Sequence, residues 1–191
     1  MTTLLVLHSP NLNLLVTRSV GGDVVIRRSA THLKGATHLT DRRKTMTTLL
    51  VLHGPNLNLL GSREPEIYGA LTLADINKKV EEAASAHDVK IYSIQSNHEG
   101  ALIDALQEAA NQADGVIFNP AGYTHTSVAL RDTVATIGIP VVEVHLSNVY
   151  AREEFRQKSL LSAVCAGKIS GFGWMSYKLA LEALVEIIER G

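Results

Sequence analysis

From residue 48 to the C terminus the chain alternates short apolar runs with longer amphipathic segments, and few folds accept that pattern. Runs at 48–53 (TLLVLH), 89–95 (VKIYSIQ), 115–120 (GVIFNP), 140–145 (PVVEVH) and 168–173 (KISGFG) have the length and content of strands. Thr72 to Asp75 has the form of a capping box, with Asp in place of Glu or Gln, and predicts an amphipathic helix to about residue 87. Ser96 to Glu99 has the same form and predicts the opening of a second helix. Further helices are predicted at 126–137, 151–162 and 176–190. Repeated βα units imply a parallel sheet covered by helices on both faces. Right-handed crossovers then favour a single α/β domain, a flavodoxin-like, doubly wound five-stranded parallel sheet of strand order 2-1-3-4-5.

Ahead of that domain stands a partial copy of its beginning. Residues 1–15, MTTLLVLHSPNLNLL, match residues 46–60, MTTLLVLHGPNLNLL, at fourteen of fifteen positions, with Ser9 facing Gly54. At the same offset Arg18 faces Arg63, but Asp23 stands where Tyr68 is, and the likeness ends after residue 18. One strand and half a loop is no solenoid unit, because a repeat array needs about three copies to bury a core. Three readings compete: a duplicated or mis-started reading frame with Met46 as the working start, a basic transit peptide, and a second functional site. The apolar start argues against a transit peptide, and the missing tyrosine argues against a second site. Residues 1–45 are therefore expected to lie outside the fold, with the catalytic domain at 46–191.

Composition excludes several functions. The chain is 46% hydrophobic and 19% charged, which suits one globular domain with a sizeable core. No apolar run approaches the roughly 18–20 residues needed to span a bilayer, so no membrane partner is expected. Cys165 is the only cysteine, so an intrachain disulfide and a cysteine metal cluster are excluded, and a reducing cytoplasm is the expected compartment. Residues 1–45 carry seven Lys/Arg against two Asp/Glu, while residues 46–191 carry eleven against seventeen, a net of −6. Such a domain has no electrostatic footprint for nucleic acid.

The chemistry is concentrated beyond the strand ends. The first strand breaks at Gly54-Pro55, and the loop to Gly69 is longer than an ordinary βα connection of about 2–6 residues. It carries Asn56, Arg63 and Tyr68 among three glycines, the content of a loop that can close over a ligand. In this topology ligands bind where strand order reverses, between the first and third strands. Asn56 follows the first strand, Asn119 ends the third and His145 ends the fourth, with Ser147 and Asn148 just beyond. His125 and Thr126 open the next helix. A single strand-end Asn is usually a turn residue; four polar termini on one edge point to a site.

A tyrosine becomes a general base when a cation brings its pKa of about 10 towards neutrality, and Arg63 shares its loop with Tyr68. Glu143 precedes His145 by two residues, so both side chains face one side of a strand. A carboxylate on one ring nitrogen fixes the tautomer and raises basicity, which makes His145 a candidate acid. Asn119 is placed to hold a polarised oxygen or a bridging water. No phosphate-loop spacing, GxGxxG or metal-ligand spacing is present, and His53 and His87 suggest no role. A flavin-binding module would need a Ser/Thr-rich loop where Pro-Asn-Leu-Asn stands, and a receiver domain would need an aspartate at Asn119.

Three motifs in order, LHGPNLNLLGSREPEIYG, NPAGYTHTSVALRD (119–132) and EVHLSNVYAREEFR (143–156), resemble the signatures of the type II 3-dehydroquinate dehydratases. The resemblance runs from about residue 47 to 190 and leaves the first 45 residues as a departure. It implies a hydro-lyase of the shikimate and quinate pathways that converts 3-dehydroquinate to 3-dehydroshikimate and water, without cofactor or metal. On the matching positions it implies Tyr68 as base aided by Arg63, and an enolate stabilised through a water on Asn119 with Asn56 beside it. It further implies His145, oriented by Glu143, as acid. The backbone of Leu146 and Ser147 would hold the substrate carboxylate, and His125 and Arg156 the ring hydroxyls. Asp132 would reach a neighbouring subunit's site within a trimer-based homododecamer. Arg131 and Arg152 are expected to be structural or interfacial.

Overall fold

A computed structural model describes residues 4–9, 12–18, 24–28, 46–61 and 71–190. The chain divides into two units, Met1–Arg43 and Lys44–Gly191. In the first, β1 (Leu4–Ser9), β2 (Leu12–Arg18) and β3 (Val24–Arg28) form an antiparallel sheet of order β1-β2-β3.

In the second unit, β4 (Thr48–His53), β5 (Lys90–Gln95), β6 (Gly115–Asn119), β7 (Val141–His145) and β8 (Gly167–Ser170) form one sheet. Its order is β5-β4-β6-β7-β8, and every pairing is parallel. This is the expected doubly wound order. The helices are α1 (Leu73–Ser85), α2 (Glu99–Gln112), α3 (Val128–Thr136), the single turn α4 (Glu154–Gln157) and α5 (Met175–Arg190).

The central strands are apolar along their length because both faces are covered. Leu49, Val51, Ile117, Val142 and Val144 pack with Ile76 and Val80 of α1 and Leu181 and Leu184 of α5. Leu50, Leu52, Val116 and Phe118 turn the other way, against Leu102 and Leu106 of α2 and Leu130 of α3. Fully burying each such side chain contributes about 1.5–3 kcal/mol, so tertiary packing rather than helix propensity holds these elements. Among the described residues no helix is long and apolar enough to cross a membrane.

The first capping box forms as expected. Thr72 Oγ1 accepts from the Asp75 N–H, and the Asp75 carboxylate accepts from the Thr72 hydroxyl and N–H, which hold that carboxyl below its usual range. The second does not form. Ser96 N–H donates to the His53 carbonyl and continues the ladder, while its hydroxyl accepts from the His98 N–H. His98 is the N-cap instead, without a side-chain bond.

Three other boundaries differ from the sequence expectation. The helix expected from 126 starts at Val128 under a Ser127 cap, and His125 ends a short 3-10 turn, Ala121–His125. The last strand stops at Ser170 because Gly171 and Gly173 take positive φ of 96° and 58°. The helix expected at 151–162 reduces to α4 alone, with a 3-10 turn at Val149–Ala151 before it. Beyond α4, Leu160 N–H donates to the Thr124 carbonyl, and the hydroxyls of Ser159 and Ser162 are committed to Glu143. A continuous helix would pull these groups from their partners.

Candidate active site

The carboxyl ends of β4, β6 and β7 surround a cavity of about 240 Å³ at the point where strand order reverses. Asn56, Asn119, His125, His145, Leu146, Ser147 and Arg156 all line it. Glu143 lies behind His145, fully buried. Asp132 is exposed on α3, paired with Arg131 at 2.9 Å, and does not line the cavity of its own chain. Arg63 and Tyr68 fall outside the described residues. Arg152, expected to be structural or interfacial, lines the cavity as well.

The close approach of β4 to β6 depends on one glycine. Gly54 N–H donates to the Asn119 carbonyl at 2.7 Å. A Cβ on Gly54 would stand 2.6 Å from the Pro120 oxygen, nearer than atoms pack. Asn56, just beyond, sits at φ 66°, a left-handed conformation that asparagine tolerates, and its N–H donates to the Asn97 side chain.

Alternation along β7 puts Glu143 and His145 on one face, as the i, i+2 spacing predicts. The His145 Nε2–H donates to Glu143 Oε1 at 2.7 Å. This contact fixes the tautomer and leaves Nδ1 without a partner among the described residues. The carboxylate is also held by groups that the sequence did not point to. Thr124 Oγ1 donates to Oε1, Ser159 Oγ lies 3.0 and 2.9 Å from the two oxygens, and Ser162 Oγ donates to Oε2 at 2.6 Å. Burial works to raise the Glu143 pKa. The bonds from His145, Ser162 and Thr124, with the charge of His145, outweigh it and hold the carboxyl at about 2. Glu143 is thus an anion at any physiological pH.

His125 donates from Nδ1 to the Lys158 carbonyl at 2.7 Å, leaving Nε2 for a ligand. Burial holds its pKa below the usual imidazole range against that hydrogen bond, with His145, Arg156 and Lys168 adding to the lowering. Arg156 pairs with Glu153 at 3.0 Å and packs on the Phe155 ring. The N–H groups of Leu146 and Ser147 have no acceptor among the described residues. Two adjacent amides and a guanidinium on one wall suit an anionic oxygen. Among the described residues no group of three or more His, Cys, Asp or Glu is arranged to hold a metal.

A doubly wound α/β domain with a buried imidazole–carboxylate pair and free amides at its switch point is a scaffold for acid–base chemistry on a small anionic molecule. Residues 47–185 match the family described as Dehydroquinase class II, and the chain belongs to that family. Among its relatives, the 3-dehydroquinate dehydratase of Desulforudis audaxviator is 58% identical over 131 residues, which is 69% of this chain and 87% of that one. The enzyme of that name from Campylobacter jejuni is 51% identical over 130 residues, covering 68% and 82%. The solved type II dehydroquinase from Butyrivibrio crossotus superposes with a TM-score of 0.71 at 44% identity, covering 72% of this chain and 97% of that one.

Proposed function

We propose that this class II dehydroquinase removes water from 3-dehydroquinate by an anti elimination through an enolate. Tyr68, kept as its anion by Arg63, takes the proton beside the ketone. A water on Asn119, with Asn56 alongside, stabilises the enolate oxygen. The carbon–oxygen bond of the departing hydroxyl then breaks as His145, protonated on both ring nitrogens, gives that oxygen its Nδ1 proton, releasing water and leaving 3-dehydroshikimate. Glu143 orients the imidazole. The Leu146 and Ser147 amides hold the substrate carboxylate, while His125 and Arg156 bind ring hydroxyls. Asp132 serves the site of a neighbouring subunit in a trimer-based dodecamer, a role supported by its exposure outside its own chain's cavity.

The observation that carries this reading is the His145–Glu143 pair, locked at one ring nitrogen and open at the other on the cavity wall. The test is the rise in ultraviolet absorbance of the conjugated enone when 3-dehydroquinate is added to the purified full chain. Tyr68→Phe and His145→Ala should each lower kcat by about 10²–10⁴-fold, the contribution of a positioned acid or base. Full turnover in the phenylalanine variant overturns the assignment.

A further inference from the structure

Behind Asn119, on the sheet face covered by α1 and α5, three polar side chains run into the core in single file. Asn119 Nδ2 lies 2.8 Å from the Tyr177 hydroxyl, and that hydroxyl lies 3.1 Å from His53 Nδ1. His53 Nε2 lies 2.8 Å from Asn77 Oδ1. Tyr177 and His53 are fully buried, so neither touches a ligand in the cavity. The mechanism above uses none of the three.

The direction of every bond in this file follows from one backbone group. The Ala121 N–H has only a proton to give, and it points at Asn119 Oδ1 at 3.1 Å. The amide oxygen is therefore fixed on that side and the NH2 faces Tyr177, to which it donates. Tyr177 has one hydrogen, which must go to His53 Nδ1. His53 then carries its proton on Nε2 and donates to Asn77. Reversing any link leaves two donors or two acceptors facing each other, with Tyr177 and His53 out of reach of water. The protonation states agree. Burial pushes the Tyr177 phenol up, and burial brings His53 down to about 4 against the Asn77 bond, so both are neutral across the working range.

We propose that Tyr177 and His53, anchored on Asn77, are positioning residues that fix the amide of Asn119, leaving its second N–H for the reacting oxygen or its water. The inference rests on the reading that Asn119 serves the reaction. Ala121 makes the need plain: it holds a left-handed φ of 51°, unusual for alanine, and the Asn119 side chain bridges that turn. An amide free to rotate would present oxygen in place of hydrogen to the substrate half of the time.

The test is a double-mutant cycle on the full chain, read in kcat and KM for 3-dehydroquinate. Tyr177→Phe and His53→Phe should each lower kcat by between about ten- and a hundredfold with KM nearly unchanged, the size expected when a catalytic group is displaced from outside the site. Asn119→Ala should lower kcat at least as much. In the Asn119→Ala background, Tyr177→Phe should then cost nothing further in kcat, because its action passes through the lost amide. Equal fold-losses of kcat in both backgrounds, or full kcat in Tyr177→Phe, overturn the positioning role. Full kcat in Asn119→Ala instead overturns the catalytic reading of Asn119, which separates the two failures. A lowered melting temperature is expected in every variant and decides neither question.

Discussion

Residues 46–60 and 1–15 differ at a single position, yet their backbones part company. Thr48–His53 is a parallel strand held on both sides, by β5 and by β6. Leu4–Ser9 is antiparallel to the strand that follows it, with Ser9 opposite Leu12. The contrast is sharper just beyond. Leu57–Leu59 makes a 3-10 turn with Leu57 buried in the core, whereas the identical Leu12–Leu14 is extended strand. Local preference is therefore the same in both places, and the surroundings decide. The one difference falls where it matters most. Gly54 approaches Pro120 too closely for any Cβ, and the copy carries Ser9 there. The copy repeats the sequence of the first strand with a serine where that glycine stands.

The largest expected effect on turnover comes from erasing that difference. Gly54→Ser makes the two segments identical, and the new Cβ meets backbone atoms of Asn119 and Pro120 that cannot swing aside. Overpacking of this kind costs about 1–3 kcal/mol. Displacing Asn119 should lower kcat by roughly a hundredfold. Thermal melting and the enone assay measure both, and a variant with normal turnover would show that the glycine is dispensable. Ser9→Gly should change neither quantity.

Acid should sharpen the comparison next, because His53 and Glu143 have buried partners in the domain. The folded pKa of His53 lies near 4 against 6.5 for a free imidazole, so the unfolded chain binds more protons between those values. Stability is full above pH 6.5 and falls as pH drops towards 4. Glu143 adds a loss in the same direction between pH 4.5 and about 2. Each is on the order of 3 kcal/mol. Urea unfolding at a series of pH values should show this decline, and Ser162→Ala should flatten its lower part by removing one donor to Glu143. An undiminished slope in that variant would contradict the role given to the hydroxyl.

The smallest effect is expected from removing the copy altogether. A chain starting at Met46 should keep its kcat and should change in stability by no more than about 0.5 kcal/mol, the range of substitutions away from buried features. A large drop in melting temperature would mean that residues 1–45 are part of the catalytic fold.

Much of the architecture could be read from residue order because its signals are local. Apolar runs buried on both faces, the Thr72–Asp75 cap and the amphipathic α5 each announce themselves within a few positions. The Glu143–His145 pair was legible for the same reason, being two residues apart on one strand. What surrounds that pair was not. Thr124, Ser159 and Ser162 reach Glu143 across 16 to 19 residues, from a 3-10 turn and from a stretch whose polar content resembles a surface helix. A serine that lines a buried carboxylate looks, in sequence, like any exposed serine. His53 suggested no role because its partner Tyr177 lies 124 residues away. The Ser96 cap failed because the strand ladder claimed its backbone first.

The crowding around Glu143 also bears on the proton transfer proposed for His145. A carboxylate offers about four lone-pair positions. Here Oε1 meets His145, Thr124 and Ser159, while Oε2 meets Ser159 and Ser162. A proton moved onto Oε1 along the His145 bond would neutralise a carboxylate that these donors hold as an anion with a pKa of about 2, so the imidazole does not unload inward. Under the proposed mechanism the proton that His145 gives up leaves from the ring nitrogen facing the cavity, and its replacement enters from the same side.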